Sequence, residues 1–299
     1  MRLANRIIER ARQPVTPVDR DLAIWASKLR GAECFEVDHG AGELSHATMA
    51  TNPALASIRT RQNLSLPVQV CWFEWLGPSA GIGPFADEPP RHGTVVPRRC
   101  GVLVEADPSL RRGLLSWVWE LPEQTIEPCP ISIAFDWRMQ PAAVPDIVRA
   151  GFEYHGQSWE QHLRKTHSSS RFASQDPEPF AAEEKRYGHV PCPLMPTFWA
   201  AADKVASQDE RLIQKICHDI LRDLEHEPIF LLGLIVCLSA PGLLDISDPT
   251  DMTRLNAARR KRGRTELLTF RRISASDRNV IKLSGRNRPI EAMRGFHAA

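Results

Sequence analysis

The sequence predicts an α+β protein in which a central, mainly antiparallel sheet at about residues 66–138 is flanked by helices. Three observations support this prediction. Four short apolar runs bounded by Pro or Gly follow one another along the chain. Segments on both sides of them carry apolar residues at helical spacing. The chain of 299 residues also contains 24 prolines, which implies many connections between elements.

The four apolar runs have the length and composition of strands. They are rich in Val, Ile, Trp and Phe, the residue types that favour strands. The connections leave no room for the crossover helices that parallel neighbours need, so antiparallel pairing is predicted. The runs are Val68–Leu76, Gly101–Ala106, Leu114–Leu121 and Ile131–Arg138.

Helices are predicted near both ends of the chain, whereas residues 36–66 show little periodicity. The last predicted helix is basic. It begins at Pro249 after a cap residue and ends near Arg262, with Gly263 just beyond it. A short hairpin of Leu267–Ile273 and Val280–Leu283 follows. The other predicted helices are one around residues 3–11, one from Asp19 or Asp21 to Gly31, and those at residues 141–150, 213–224 and Ile229–Ala240.

The pattern suggests three regions. Residues 1–167 form a sheet-containing α+β domain, and residues 168–196 form a loop or linker rich in Pro and Ser. Residues 197–299 form a helical region that ends in the basic helix and the hairpin.

The cysteines and the apolar runs suggest a cytoplasmic protein that does not enter a membrane. The seven cysteines are odd in number, far apart and without a CxxC pair, which is typical of a reducing compartment. The N-terminus lacks the apolar region of a secretory signal. The longest apolar run, Ile229–Ala240, has 12 residues, whereas a membrane-spanning helix needs about 20.

Charge is distributed unevenly along the chain. The 46 residues from Arg254 to Ala299 contain 13 Lys or Arg and 3 Asp or Glu, a net charge of +10. The preceding residues contain 25 basic and 33 acidic side chains, a net charge of −8. Such an asymmetry points to a polyanionic partner or to an electrostatically distinct arm.

The basic helix is the candidate binding site. Several guanidinium groups within two turns suit backbone phosphates, and each phosphate contact releases counterions. Met252, Leu255 and Ala258 are expected to face a core while the basic residues project. Alternatively, the basic residues dock onto the acidic remainder of the chain, or bind a protein or virion surface. The candidate residues are Arg254, Arg259, Arg260, Lys261, Arg262, Arg264, Arg271 and Arg272.

Metal-dependent chemistry is a second alternative. Each of the four predicted strands carries a carboxylate late in its apolar run, namely Glu74, Glu105, Glu120 and Asp136. On one face of a sheet they would bind a divalent cation. Alternation of side chains along a strand suggests instead that they mark the solvent side. The histidines and cysteines match no zinc motif, and no nucleophile motif is present, so no metal site and no cofactor are predicted.

Two stretches resemble uncharacterised proteins encoded by phages and prophages. Leu255–Ile273 (LNAARRKRGRTELLTFRRI) is similar to a segment in which a Leu-Asn pair precedes a basic helix, a Gly-Lys or Gly-Arg turn and a short strand. Leu66–Trp75 (LPVQVCWFEW) resembles a strand of the same proteins. The chain departs from that pattern at Thr265-Glu266, where those proteins usually have Pro-Pro or Pro-Leu. The resemblance implies a bacterial host cell and no particular activity.

The sequence therefore predicts a phage-type accessory protein that binds nucleic acid, or another polyanion, through its basic C-terminal region. The alternatives are a structural module that binds an acidic virion or host protein, and a metal-dependent enzyme that uses the strand carboxylates. No reaction is predicted.

Overall fold

An eight-stranded mixed sheet organises the structure. The computed structural model describes residues 1–51, 64, 66–77, 97–136, 187–206 and 227–276. Within these residues the strands are β1 (Glu33–Val37), β2 (Val70–Leu76), β3 (Arg99–Ala106), β4 (Arg112–Glu120), β5 (Ile126–Asp136), β6 (Tyr187–Pro191), β7 (Leu244–Ile246) and β8 (Phe270–Ala275). The helices are α1 (Leu3–Arg10), α2 (Pro17–Gly31), α3 (His39–Thr51), α4 (Pro196–Ala206), α5 (Glu227–Ser239) and α6 (Thr253–Lys261).

The sheet is antiparallel over most of its width. Its strand order is β6-β5-β4-β3-β2-β1-β8-β7, and β2 to β6 are antiparallel neighbours in chain order. The four predicted strands are β2, β3, β4 and β5. The parallel part is β1, which pairs with β2 on one side and β8 on the other. Helix α3 lies between β1 and β2 in the chain and provides the crossover that parallel pairing requires.

Residues 36–66, which show little periodicity, contain part of β1 and all of α3. The strand is only five residues long, too short for a clear alternation. Helix α3 has the sequence HGAGELSHATMAT, whose two glycines and many small residues give no apolar stripe. Its Gly40 lies close to β8, since a Cβ there would be 3.5 Å from the Cβ of Ala275. Tertiary packing, rather than local pattern, makes this segment a helix.

The predicted linker at residues 168–196 ends inside the sheet. Its last residues form the edge strand β6 and the start of α4, and β6 pairs with β5. Strands from both sides of the predicted linker thus share one sheet, and the described residues do not separate into two domains there. The predicted helices at 141–150 and 213–224 and the strand Val280–Leu283 lie outside the described residues, as does most of the linker.

Helices cover both faces of the sheet. Helices α1 and α2 pack on one face, and α3 and α5 pack on the other. Helix α4 contacts α2, and its Phe198 and Trp199 touch the apolar clusters of both faces. On β2, Trp72 points to the first face, whereas Cys71, Phe73 and Trp75 point to the second. Because both faces are buried, the central strands read as continuous apolar runs rather than alternating ones.

A close contact between β2 and β3 requires glycine. The indole of Trp72 lies over Gly101, where a Cβ would come within 2.1 Å of the ring. Any side chain at this position would displace a fully buried tryptophan.

Helix α5 is the predicted buried helix. It contains most of the apolar run Ile229–Ala240 and packs against α3, with Leu234, Ile235 and Cys237 fully buried. Among the described residues, no helix is both long and apolar enough to cross a bilayer.

Six of the cysteines are described, and all six are buried free thiols, in agreement with the predicted absence of a disulfide framework among them. Burial raises the pKa of Cys34 and of Cys71 to about 12. At neutral pH these thiols stay protonated and act as small apolar side chains.

A capping box begins α2. The Thr16 hydroxyl accepts the backbone N–H of Asp19, and the Asp19 carboxylate accepts the backbone N–H of Thr16. The helix therefore begins at Pro17, two residues before the earlier of the two predicted starts. The second predicted start, Asp21, has another role. Its buried carboxylate accepts the backbone N–H groups of Thr197 (3.0 Å) and Phe198 (3.1 Å) at the start of α4.

We expect Asp19→Ala to lower the free energy of unfolding by roughly 2 kcal/mol at neutral pH. Burial opposes ionisation of Asp19, but hydrogen bonds from Thr16, Arg10 and Val15 prevail and lower its pKa from 3.8 to about 2. Because the pKa of Asp19 is lower in the folded state than in the unfolded chain, the ionised carboxylate stabilises the fold fully at pH values above the unfolded pKa. This stabilisation is lost as the pH falls through the folded pKa. The difference from wild type should therefore shrink between pH 3.8 and about 2.

Urea unfolding across this pH range measures the effect. Asp245→Ala is the control, because Asp245 is exposed on β7, and it should change stability by less than about 0.5 kcal/mol. A difference between Asp19→Ala and wild type that does not change with pH would contradict the role given to the carboxylate.

Candidate nucleic-acid interface

The predicted basic helix is α6, and it begins later than predicted. Residues before it run along β8, where the N–H of Ser247 donates to Arg272 O (2.9 Å) and the N–H of Thr250 donates to Phe270 O (3.0 Å). The chain is therefore extended at Pro249, and the helix starts at Thr253, whose N–H donates to Asp251 Oδ1 (2.9 Å). Its end agrees with the prediction, because Gly263 adopts the left-handed conformation with φ +64°.

The prediction that α6 turns apolar residues to a core is wrong. No residue of α6 is buried, and Leu255 is 48% exposed. Only Asn256 and Arg259 are half-buried between Thr253 and Arg264. The helix is attached to the body along one side and open on the others.

Polar side chains form that attachment. The Asn256 amide makes two hydrogen bonds to the backbone of Leu267, with Nδ2 donating to its O (2.9 Å) and Oδ1 accepting from its N–H (2.8 Å). One turn later, Arg259 Nε donates to Thr265 O (2.6 Å). Because positions three residues apart share a helix face, both contacts fix the same side of α6 against the chain that follows it.

Helix α1 and the turn after it hold the same segment. Arg12 Nη1 donates to Gly263 O and to Thr265 Oγ1, both at 3.1 Å. The N–H of Leu268 donates to Asn5 Oδ1 (2.7 Å). Arg12 also places a positive charge beside carbonyl groups at the C-terminus of α6, which is favourable for the helix dipole.

Four of the eight predicted binding residues are open. Arg254, Lys261, Arg262 and Arg264 are exposed, and their side chains make no hydrogen bond or ion pair within the described residues. We call them the open basic group. Arg254 and Lys261 occupy positions i and i+7 of α6, which lie on one helix face about 10 Å apart along the axis. Arg262 is the C-cap residue of α6, and Arg264 lies just beyond Gly263.

The other four predicted residues are engaged with the protein itself. Besides the Arg259 contact, Arg260 pairs with Glu266 (2.6 Å), Arg271 with Glu33 (2.5 Å) and Arg272 with Asp38 (3.2 Å). Docking onto acidic residues thus accounts for part of the positive charge. The basic residues after Ser276 lie outside the described residues.

The structure does not bring the four strand carboxylates together. Glu74 and Glu120 lie near one end of the central strands, where Arg99 approaches both. Glu105 pairs in register with Val70, four residues and therefore about 13 Å along β2 from Glu74, and it binds Lys28 instead. The part of the chain that is described contains no group of three or more His, Cys, Asp or Glu side chains that could hold a metal ion. Glu105 therefore does not share a coordination sphere with Glu74 and Glu120, and the side chain of Asp136 lies outside the described residues.

Glu74 does not face solvent either. It is fully buried, and its two oxygens accept hydrogen bonds from the backbone N–H groups of Leu3 (3.4 Å) and Ala4 (3.2 Å) at the start of α1. Trp72 Nε1 and Arg99 Nη1 also donate to it, each at 3.0 Å. Burial raises the pKa of Glu74, while Arg99 and the other donors favour the ionised form.

Glu74 belongs to a balanced set of charges between α1 and the sheet. Three arginines face three glutamates there, so no net charge is buried. Arg2 pairs with Glu36 (2.7 Å), Arg6 pairs with Glu120, and Arg99 lies among all three glutamates. The arrangement explains the acidic residues in these strands as a structural network.

We expect Glu74→Ala to destabilise the fold by about 3–5 kcal/mol, because Arg99 and the first N–H groups of α1 would stay buried without their acceptor. Glu74→Gln retains one acceptor oxygen in the same shape and should cost less. Urea unfolding compares these variants with Glu105→Ala, which removes a partly exposed ion pair worth up to about 1 kcal/mol. Equal losses for Glu74→Ala and Glu105→Ala would contradict this assignment.

Asn256→Ala should loosen α6 without unfolding the body. It removes both hydrogen bonds to Leu267, and we expect faster hydrogen exchange at the Leu267 amide with a loss of about 1 kcal/mol in stability. Hydrogen exchange with residue resolution measures this. Lys261→Ala is the control, since its side chain makes no such contact, and it should leave the exchange rate unchanged. Unaltered exchange in Asn256→Ala would show that the amide does not hold the helix.

Comparison with known proteins does not assign the chain to a family. No family model, no curated protein and no solved structure matches the chain. The resemblance to phage and prophage proteins stays a prediction, and a functional proposal depends on the side chains described above.

Proposed function

We propose that this protein binds nucleic acid through the open basic group of α6. The observation that carries the proposal is the division among the eight predicted residues. Four are neutralised or held by the protein's own groups. Arg254, Lys261, Arg262 and Arg264 are instead presented to solvent, on the anchored helix and directly after it. A set of cations that no acidic group among the described residues neutralises is suited to an external polyanion.

Phosphate contacts would supply the binding free energy. Arginine presents a planar fork of N–H donors that suits phosphate oxygens, and each neutralised phosphate releases condensed counterions. Four such contacts imply a slope of about −3.6 when the logarithm of the binding constant is plotted against that of the salt concentration. Contacts of this kind position a protein on nucleic acid without reading its sequence.

Two further features of the proposal come from the sequence. We place the protein among phage-type accessory proteins acting in the cytoplasm of a bacterial host, because of the resemblance of Leu255–Ile273. We assign it no reaction, since Glu74 and Glu120 are engaged by arginines and helix N–H groups and Glu105 by Lys28.

A second candidate function is binding to an acidic protein surface. It is favoured by Leu255, which is 48% exposed beside Arg254, because protein interfaces combine apolar and arginine contacts. Leu255→Ser separates the two candidates. It should weaken a protein complex that survives nuclease treatment, and it should leave salt-dependent binding to nucleic acid within about twofold.

The triple variant Arg254→Ala, Lys261→Ala and Arg262→Ala tests the main proposal. We expect weaker binding to a fluorescent duplex and a salt slope reduced by about 3, since each lost phosphate contact contributes about 0.9. Fluorescence anisotropy at several salt concentrations measures both quantities. A variant at Arg259 and Arg260 would be less informative, because those side chains also hold α6 and Glu266.

The matched control removes three other exposed basic side chains, Arg20, Arg30 and Arg98. It lowers the net charge by the same amount but should keep the wild-type slope. Equal slopes in the α6 triple variant and in wild type would refute the proposal, as would an equal reduction in the control.

A further inference from the structure

We infer that the nucleic acid bound by this protein is duplex DNA, and that α6 enters its major groove. The inference rests on the proposed function and narrows it to one class of partner. It starts from the attachment of α6. Asn256 and Arg259 hold one side of the helix, and the exposed Arg260 pairs with Glu266. Every other residue from Thr253 to Arg264 is exposed. Within the described part of the chain, α6 is therefore exposed over most of its circumference, and such a helix is able to penetrate a groove rather than only lie on a surface.

The dimensions of α6 suit the major groove. Its nine residues span about 13.5 Å, and a helix with its side chains is about 10–12 Å across. The major groove of B-form DNA is about 12 Å wide and 8.5 Å deep, whereas the minor groove, about 6 Å wide, does not admit a helix.

Charge and size along α6 are arranged as groove insertion requires. Arg254 lies at the N-terminal end, and Lys261 and Arg262 lie at the C-terminal end. Between them lie Ala257 and Ala258, which are exposed and uncharged, whereas Leu255 directly follows Arg254. Cations at the ends reach the phosphates that border the groove. The small apolar residues in the middle allow close approach to its floor, where thymine methyl groups accept apolar contacts.

The same residues are poorly suited to other nucleic acids. Proteins that bind single strands stack bases on aromatic side chains, and residues 251–269 contain no Phe, Tyr or Trp. The major groove of double-stranded RNA is deep and narrow and does not admit protein side chains. Duplex DNA is therefore the ligand that fits both the shape and the composition of α6.

Competition among three forms of one sequence tests the inference. The full-length protein is titrated at a single salt concentration with duplex DNA, with single-stranded DNA and with duplex RNA, and anisotropy gives each dissociation constant. We expect duplex DNA to bind at least about tenfold more tightly than either alternative. In a parallel measurement, methyl green in the major groove should displace the protein, and netropsin in the minor groove should not.

An uncharged variant tests insertion itself. Ala258→Trp places a bulky group in the middle of the open face and should weaken binding to duplex DNA at least about fivefold. The salt slope should remain as in wild type, because no basic residue is lost. Ala23→Trp on the exposed side of α2 is the control and should bind as wild type does.

The outcomes separate this inference from the function on which it rests. Equal or tighter binding of single-stranded DNA or duplex RNA, with the α6 triple variant still impaired, would overturn the choice of duplex DNA and leave nucleic-acid binding intact. Displacement by netropsin alone, or wild-type affinity of Ala258→Trp, would overturn groove insertion. Failure to bind any nucleic acid would remove the proposed function and this inference with it.

Discussion

The buried carboxylate of Glu74 is the interaction on which the rest of this structure depends. It lies on β2, on the face that α1 covers, and it accepts the first N–H groups of α1, the Trp72 indole and the Arg99 guanidinium. A buried carboxylate is tolerated only when donors replace its hydration. Helix α1 and Arg99 are therefore fixed in place by the need to satisfy one charge.

The position of α1 in turn determines how the basic segment is displayed. Asn5 in the first turn of α1 and Arg12 in the turn after this helix hold the chain that follows α6. Hydrogen bonds at Asn5 and Arg12 thus link α1, which itself packs through buried apolar residues, to the chain beside α6. This explains how a helix without a buried residue is ordered, because polar contacts replace the core that such a short helix would otherwise need.

The strands β2 to β5 and helix α5 were predictable because buried elements are made of consecutive apolar residues, which are visible in the sequence itself. The 12-residue run at Ile229–Ala240 and the Trp-rich strands are examples. Helix α3 was not predictable, because its small residues pack against α5 and β8 without forming a stripe of their own. The carboxylates were misread for a similar reason. The sequence around a glutamate that lies between two aromatic residues is the same whether its carboxylate contacts water or an arginine. For Glu74 the environment is decided by Arg99, which lies 25 residues away in the chain.

The sequence by itself determined the pattern of apolar residues and the position of the excess positive charge. It therefore predicted the α+β class, free cysteines, the C-terminal turn at Gly263 and a positively charged end. The tertiary structure alone decided which charges remain open. Arg271 meets Glu33, and Arg272 meets Asp38, because β8 joins the sheet beside β1, whereas Arg254 and Lys261 meet no partner among the described residues. Electrostatic neutralisation depends on distances in space, and residues more than 200 positions apart in the chain acquire those distances only when the chain folds.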